Sequence, residues 1–374
     1  MTQNKDNPGI PKVVQDPNSP PKTQESNLLA TGNIFGAGTE EIEKITRYAG
    51  RGGQQSALAA NYYGFNHRGI GTPLPKNTDS FGYTFFTRPR LRLSYDNLIS
   101  DRTFALLNSK DKHSVHRWVR ATLDPVQRET NMDLSPLVDP KQAFIPILTN
   151  SLLSLSGWPE VTVDTYTSPE GLRREQWSMA DGFSKYHSQY SLNAEFKNTI
   201  NNPVTELFYY WTQYQLMVHE GLMHPHIESS LENEIDYQTR IYRLTMDSSK
   251  QFITDIAATG VAFPLSSNVA AKFDFSRESI YNDNNDTVSI PFQCVGAIYK
   301  DPILMLEFNL TVQTFNMHMH DALRSKLFYL LKPNEVNLFN HFGYPRIDLD
   351  TGRLEWWVYK TDYDAIMKLQ GYSK

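Results

Sequence analysis

The sequence predicts an α+β protein: a mainly antiparallel β-sandwich or barrel-like body with flanking helices, preceded by an extended N-terminal arm. Three observations carry this. The first 80 residues hold 10 of the 20 glycines and 7 of the 21 prolines of a 374-residue chain. From Phe81 onward, bulky and polar residues alternate in short runs separated by turn signals, the two-residue period of strands that bury one face. Among these runs stands one segment of clear helical spacing, Pro203 to Glu220. The composition divides the chain into an arm (1–80), a body (81–315) and a C-terminal helix-hairpin piece (316–374).

The arm cannot bury enough apolar surface to offset its own ordering entropy, so it is expected to order only against a neighbouring copy or partner. Within it, Glu40 to Tyr48 fits a short helix capped by Thr39. Asn61 to Leu74 (NYYGFNHRGIGTPL) reads as an irregular aromatic strap.

The body begins with Tyr83 to Leu93, which alternates as a strand but is confined by Pro89 to a sheet edge or bulge. A helical stretch, Ser100 to Leu123, is expected to break near Asp111. Gln142 to Ser154 is apolar, and Glu160 to Thr167 reads as a short strand before a turn at Ser168 to Gly171. Tyr190, Leu192, Ala194 and Phe196 then fall on one face of a strand. Asn202 reads as a cap, Pro203 as a first helical residue, and Gly221 as the stop of the helix between them. Val204, Leu207, Phe208, Trp211, Gln215 and Val218 make its inner face. The other side carries Tyr209, Tyr210, Tyr214, Leu216 and Met217, more apolar area than solvent usually meets. That side is either buried within the subunit or a subunit contact.

Thr239 to Met246, Ala270 to Phe275, Thr287 to Tyr299 and Ile303 to Leu310 all read as strands. Asp321 to Leu331 reads as a helix, and a hairpin turning at Asp350-Thr351-Gly352 presents Leu354, Trp356 and Val358 from its second strand. A short helix is expected from Asp362.

Composition narrows the function. The net charge of -5, from 36 basic and 41 acidic residues, gives no field that would draw the chain onto nucleic acid or anionic lipid. No run approaches about 18 consecutive apolar residues, and MTQNKDNPGIPK lacks the start of a signal peptide, so no membrane contact is expected. Cys294 is the only cysteine, and its strand-like setting points to a buried apolar thiol rather than a nucleophile.

Segments that resemble chemical sites fail on spacing. His219 and His224 are five apart and would diverge by about 140° on a helix, so HEGLMHPH is not a zinc-protease motif. His318 and His320 would share a strand face, yet they lack a third ligand nearby in sequence. Gly32, Gly36 and Gly38 precede a candidate helix without a preceding strand or a phosphate-binding lysine. No catalytic residue, cofactor or metal is expected. The interface candidates are Tyr62, Tyr63 and Phe65 of the strap, the alternating Arg88, Arg90 and Arg92, and Tyr210, Tyr214 and Met217 of the helix.

The succession Asp236-Tyr237, Ile241-Tyr242, Gly260-Val261-Ala262-Phe263-Pro264, Val288-Ser289-Ile290-Pro291-Phe292 and Asp301-Pro302-Ile303-Leu304 with Glu307-Phe308-Asn309 resembles virion structural proteins of large contractile-tailed bacteriophages. Phe81 to Pro89 is similar to their N-terminal strand. The resemblance implies a tail-tube-like β-sandwich with a flanking helix, assembling into rings with other copies and with other tail, baseplate or neck proteins. It implies a place in the virion, assembled in the host cytoplasm, and DNA contact only by passage through a lumen. The extra arm and C-terminal piece favour a ring that occurs once, such as a tube initiator, baseplate layer or neck collar. A capsid-decoration or receptor-binding module and a virion-associated hydrolase are the alternatives.

Overall fold

The computed structural model describes residues 81–125, 135–182, 188–231, 235–247, 249–270, 273, 286–336, 338–339 and 343–369. The arm, with the expected helix at 40–48 and the strap at 61–74, lies outside the described residues. So does most of the run 270–275; Phe273 itself sits in an exposed turn.

The chain enters on β1 (Gly82–Phe86). This strand lies at the sheet edge as predicted but stops at Phe86 instead of running to Leu93; beyond it the backbone continues through single bonds from Arg88 N to Ala143 O, Arg90 N to Asp236 O and Leu91 N to Leu123 O. The helical stretch that follows is three pieces: α1 (Tyr95–Ser100), a 3-10 turn (Arg102–Asn108) and α2 (Val115–Leu123). The break falls at Asp111, whose side chain accepts from His113 N at 2.9 Å. The apolar segment at 142–154 becomes α3 (Pro146–Ser151) and β2 (Leu152–Ser156). A hairpin, β3 (Asp164–Thr167) and β4 (Ser178–Gly182), precedes β5 (Gln189–Lys197) and the long helix α4 (Pro203–His219). Short α5 (Ile227–Leu231) leads to β6 (Ile241–Met246), β7 (Ile253–Pro264) and β8 (Thr287–Tyr299). The chain ends with α6 (Ile303–Phe315), α7 (Asp321–Leu327), β9 (Phe328–Leu330), α8 (Pro333–Val336), β10 (Tyr344–Ile347), β11 (Leu354–Tyr359) and α9 (Lys360–Leu369).

Six strands form one antiparallel sheet in the order β1-β6-β7-β8-β5-β2. The sheet curls into a half-barrel. Three strands separate β1 from β5, yet the Phe86 ring of β1 lies 5.7 Å from Phe196 of β5 and 5.8 Å from Phe292 of β8. Across the open side runs α3, tied to β1 by the Thr87–Phe144 bridge and by Ile145 N donating to Phe86 O at 3.0 Å.

Two hydrophobic clusters use opposite faces of this sheet. The inner one gathers Phe86, Leu192, Ala194, Phe196, Ile290 and Phe292 under α4, whose Phe208 lies 5.6 Å from Phe196 and stacks on Trp211. The outer one begins with the very next residue of β1: Phe85 meets Phe144, Phe308 and Trp356. Helix α6 and the three-stranded sheet β10-β11-β9 close it, and Asn309 pins the two together by donating to Ile347 O at 2.7 Å and accepting from Ile347 N at 2.8 Å.

Strands β7 and β8 change faces midway. Ala258 belongs to the outer cluster and Ala262 to the inner, although an unbroken strand would put both on one side. Adjacent Ala258 and Thr259 are both buried, and Gly260 and Gly296 sit at the switch, Gly296 with φ +68°. A Cβ at Gly260 would lie 2.7 Å from Val295 O, so the strands approach there as only glycine allows.

Three expectations are corrected. Ile303 to Leu310 is helical, not a strand: ILMLEFNL is buried on nearly every side, which erases the periodicity that would mark a helix, and Asp301 caps it by accepting from Ile303 N at 3.0 Å. The helix predicted over 321–331 stops at Leu327, because Phe328–Leu330 pairs with β11. Asn202 occupies the cap position of α4 in a left-handed conformation (φ 48°) without capping the helix through its side chain; its Oδ1 instead accepts from Asn198 Nδ2 at 2.6 Å. Pro203 and Gly221 (φ +75°) bound that helix as predicted.

Candidate assembly surface

The arginine row does not form one surface. Arg88 is buried, and its guanidinium is spent on backbone carbonyls: Nε donates to Thr122 O at 2.9 Å, Nη2 to Ala121 O, and Nη1 to Asp139 O and Gln142 O at 3.2 Å each. Ala121 and Thr122 lie in the last turn of α2, so the cation sits where the helix dipole is negative and carbonyls lack helical partners. Arg92 is half-buried and donates through Nη1 to Pro225 O at 3.4 Å. Arg90 alone is exposed, its guanidinium 6.0 Å from the centre of the Phe315 ring.

The second face of α4 is covered within the chain at its tyrosines, while Leu216 stays exposed. Tyr210 packs against Phe104 and His116, and Tyr214 donates to the Asp236 carboxylate while accepting from Arg92 N at 3.3 Å. Both rings are buried, and Met217 is half-buried against the inner cluster. Of the two readings open for this face, burial within the subunit is the one observed, and these tyrosines are not surface contacts. Burial holds the Asp236 carboxyl above its ordinary range, partly countered by the Tyr214 hydrogen bond. The strap residues Tyr62, Tyr63 and Phe65 lie outside the described residues.

Two of the histidines singled out in the sequence make local contacts, and Gly32, Gly36 and Gly38 lie outside the described residues. His226 Nε2 lies 3.3 Å from Leu91 O, and His318 Nδ1 lies 3.3 Å from the Tyr359 hydroxyl in a 3-10 turn rather than a strand. Among the described residues no three His, Cys, Asp or Glu side chains converge, and no helix is long and apolar enough to cross a membrane. Cys294 is buried, and burial pushes its thiol up to about 12.

The surface that stands out was only half visible in the sequence. Every residue of β3 and β4 is exposed, and the hairpin pairs only with itself. It carries Tyr166, Leu172, Trp177 and Met179 in the open, and Val161 and Val163 are exposed in the segment leading into it; Trp177 is 60% exposed, and the Tyr166 and Trp177 rings are in edge contact at 6.0 Å. Its root is fixed: Trp158 packs on Tyr190 and Tyr299, and the Tyr299 hydroxyl donates to Pro159 O. The first strand reads clearly in VTVDTYT, but QWSMADG lacks the alternation that would mark its partner.

A second apolar area lies where α4 ends. There Leu222 and Ile227 are exposed on either side of His224, whose O accepts from Asn97 of α1 at 2.9 Å and whose N donates to Asn97 at 3.3 Å; Tyr95 and Ile99, also exposed, lie on the side of α1 away from Asn97. By contrast, the outer face of β2, β5 and β8 is polar. There Ser154 donates to Glu195 at 2.7 Å and Ser289 to Asn193 at 2.9 Å.

Three comparisons bear on identity. No curated protein matches the chain. Among solved structures, it is similar to the anti-feeding prophage cap that terminates the tube (11% identity, 42% of this chain and 81% of that one, TM-score 0.25). It is also similar to the PVC sheath/tube terminator of an extracellular contractile injection system in the extended state (10%, 42% and 88%, TM-score 0.23), and to the PVC sheath-tube complex (12%, 42% and 82%, TM-score 0.24). Likenesses this low do not define a shared fold. Residues 30–373 match the model of a family described as "Putative phage tail tube protein". Since that match spans nearly the whole chain, the protein belongs to this phage tail tube family and is a structural component of the tail.

Proposed function

We propose that the chain is a ring-forming subunit of the tail tube or of a ring that begins or ends it, and that it works through packing between copies. The observation that carries this is the β3–β4 hairpin, which has a fixed root and shows Tyr166, Trp177 and Met179 uncovered among the described residues. A lone two-stranded hairpin is marginal in water, so its apolar side chains call for a partner surface. The exposed apolar patch of Leu222 and Ile227 beyond the end of α4 offers one on the same chain type. Hairpin of one copy against patch of the next is a head-to-tail contact, the kind that closes rings when the rotation allows. In this reading residues 1–80 act as an assembly arm, and residues 316–374 are an addition that covers the outer face of the half-barrel. Other tail proteins are the further partners, with assembly in the host cytoplasm and DNA passing through the lumen.

Negative-stain images and mass measurements of the purified chain test it. Rings are expected from the unsubstituted protein. Trp177→Ser with Met179→Ser should weaken the contact by about 2 kcal/mol or more, roughly 30-fold, and so should Leu222→Ser with Ile227→Ser. Rings that persist unchanged in both variants would refute the proposed contact.

A further inference from the structure

A groove opens where the arm enters the body. Its walls are Tyr83 of β1, Lys250 and Gln251 of the β6–β7 turn, Val336 of α8, and Arg353 and Trp356 of the C-terminal sheet, around about 210 Å³. That is room for aromatic side chains rather than for a cofactor. Its lining is mixed: two cations, the Glu355 carboxylate, polar Ser249 and Gln251, two aromatic rings and aliphatic carbons. Cations above aromatic faces already occur here, with Lys250 Nζ 4.3 Å from the centre of the Phe81 ring.

We propose that this groove seats residues 61–74 of the same chain, with Tyr62, Tyr63 and Phe65 as its anchors. The argument is one of placement and chemistry. Eighty residues precede Phe81, and Phe81 stands at the groove, in edge contact with Tyr83 at 5.8 Å. Leu74 is tied to Phe81 by a stretch of at most about 25 Å and Phe65 by at most about 58 Å, so the strap begins beside the groove and its aromatic residues stay within reach of it at raised local concentration. The strap supplies three aromatic side chains within four positions. Glycines at 64, 69 and 71 let its backbone follow a shallow surface. Seating it shields Tyr83 and extends the outer hydrophobic cluster by one layer. Residues 1–60 then leave from a fixed point and remain able to reach beyond the body.

The proposal is separate from ring closure and is tested on the full chain. A benzophenone-maleimide placed on Gln251→Cys reports what lies in the groove, since buried Cys294 does not compete for the label. Illumination is expected to link residue 251 to a peptide from 61–74 at monomer mass. Combining Tyr62→Ser, Tyr63→Ser and Phe65→Ser should cut that link about fivefold or more and speed amide exchange at residues 249–251, with β8 unchanged. A link at dimer mass would assign the groove to a second copy and overturn the proposal, as would a link elsewhere, no link, or a yield indifferent to the three substitutions.

Discussion

Arg88 holds together three parts of the chain that are distant in sequence. Its guanidinium joins the end of α2 to the loop at 139–142, while its own backbone amide bonds Ala143 O. Removing it leaves buried carbonyls without donors, so Arg88→Ala is expected to cost about 3 kcal/mol or more in urea unfolding. Arg88→Lys should recover only part of that, because one ammonium cannot match a fork spread over several carbonyls. Asp236 gives a pH signature. Its folded pKa is raised by burial, so the folded state holds its proton to higher pH than the unfolded state does. The contribution of this group is therefore most favourable below its unfolded pKa and declines as pH rises through the folded one. The melting temperature of Asp236→Asn, relative to the unsubstituted protein, should climb as pH rises above the ordinary carboxyl range of about 4, and a flat difference would contradict the assignment. Neither role was legible in the sequence. The alternation of Arg88, Arg90 and Arg92 is real, but which face of an edge segment is buried depends on what packs there, here the end of α2.

At the scale of elements, legibility followed periodicity. β5, β6, β8 and α4 were readable because each buries one face and shows the other to a different environment. The strand at α6 was misread for the opposite reason, since an element buried all round carries no stripe. β7 went unnoticed as a strand because its alternation reverses at Gly260. That reversal makes the glycine testable. Gly260→Ala would push a Cβ against Val295 O, a backbone atom that cannot turn aside, so a loss of about 1 to 3 kcal/mol in denaturant midpoint measurements is expected. Substitution at Gly296 meets open space and should cost only the left-handed backbone, about 1 kcal/mol.

At the scale of the molecule, the tail role was readable from the resemblance, and the antiparallel body with flanking helices from alternation. The proposed contact surface was not. The sequence drew attention to the aromatic face of α4, which the subunit itself covers, while the uncovered apolar area sits on a hairpin whose second strand has no pattern. A chain that turns aromatic residues inward by the long helix and outward by the hairpin separates the tasks of holding its own fold and holding a neighbour. The face exchange at Gly260 and Gly296 bears on how such a subunit would carry load. Because β1, β6, β7 and β8 each send side chains into both clusters, a pull on one half is transmitted along covalent backbone into the other. The two halves are thereby expected to melt together, in one thermal transition.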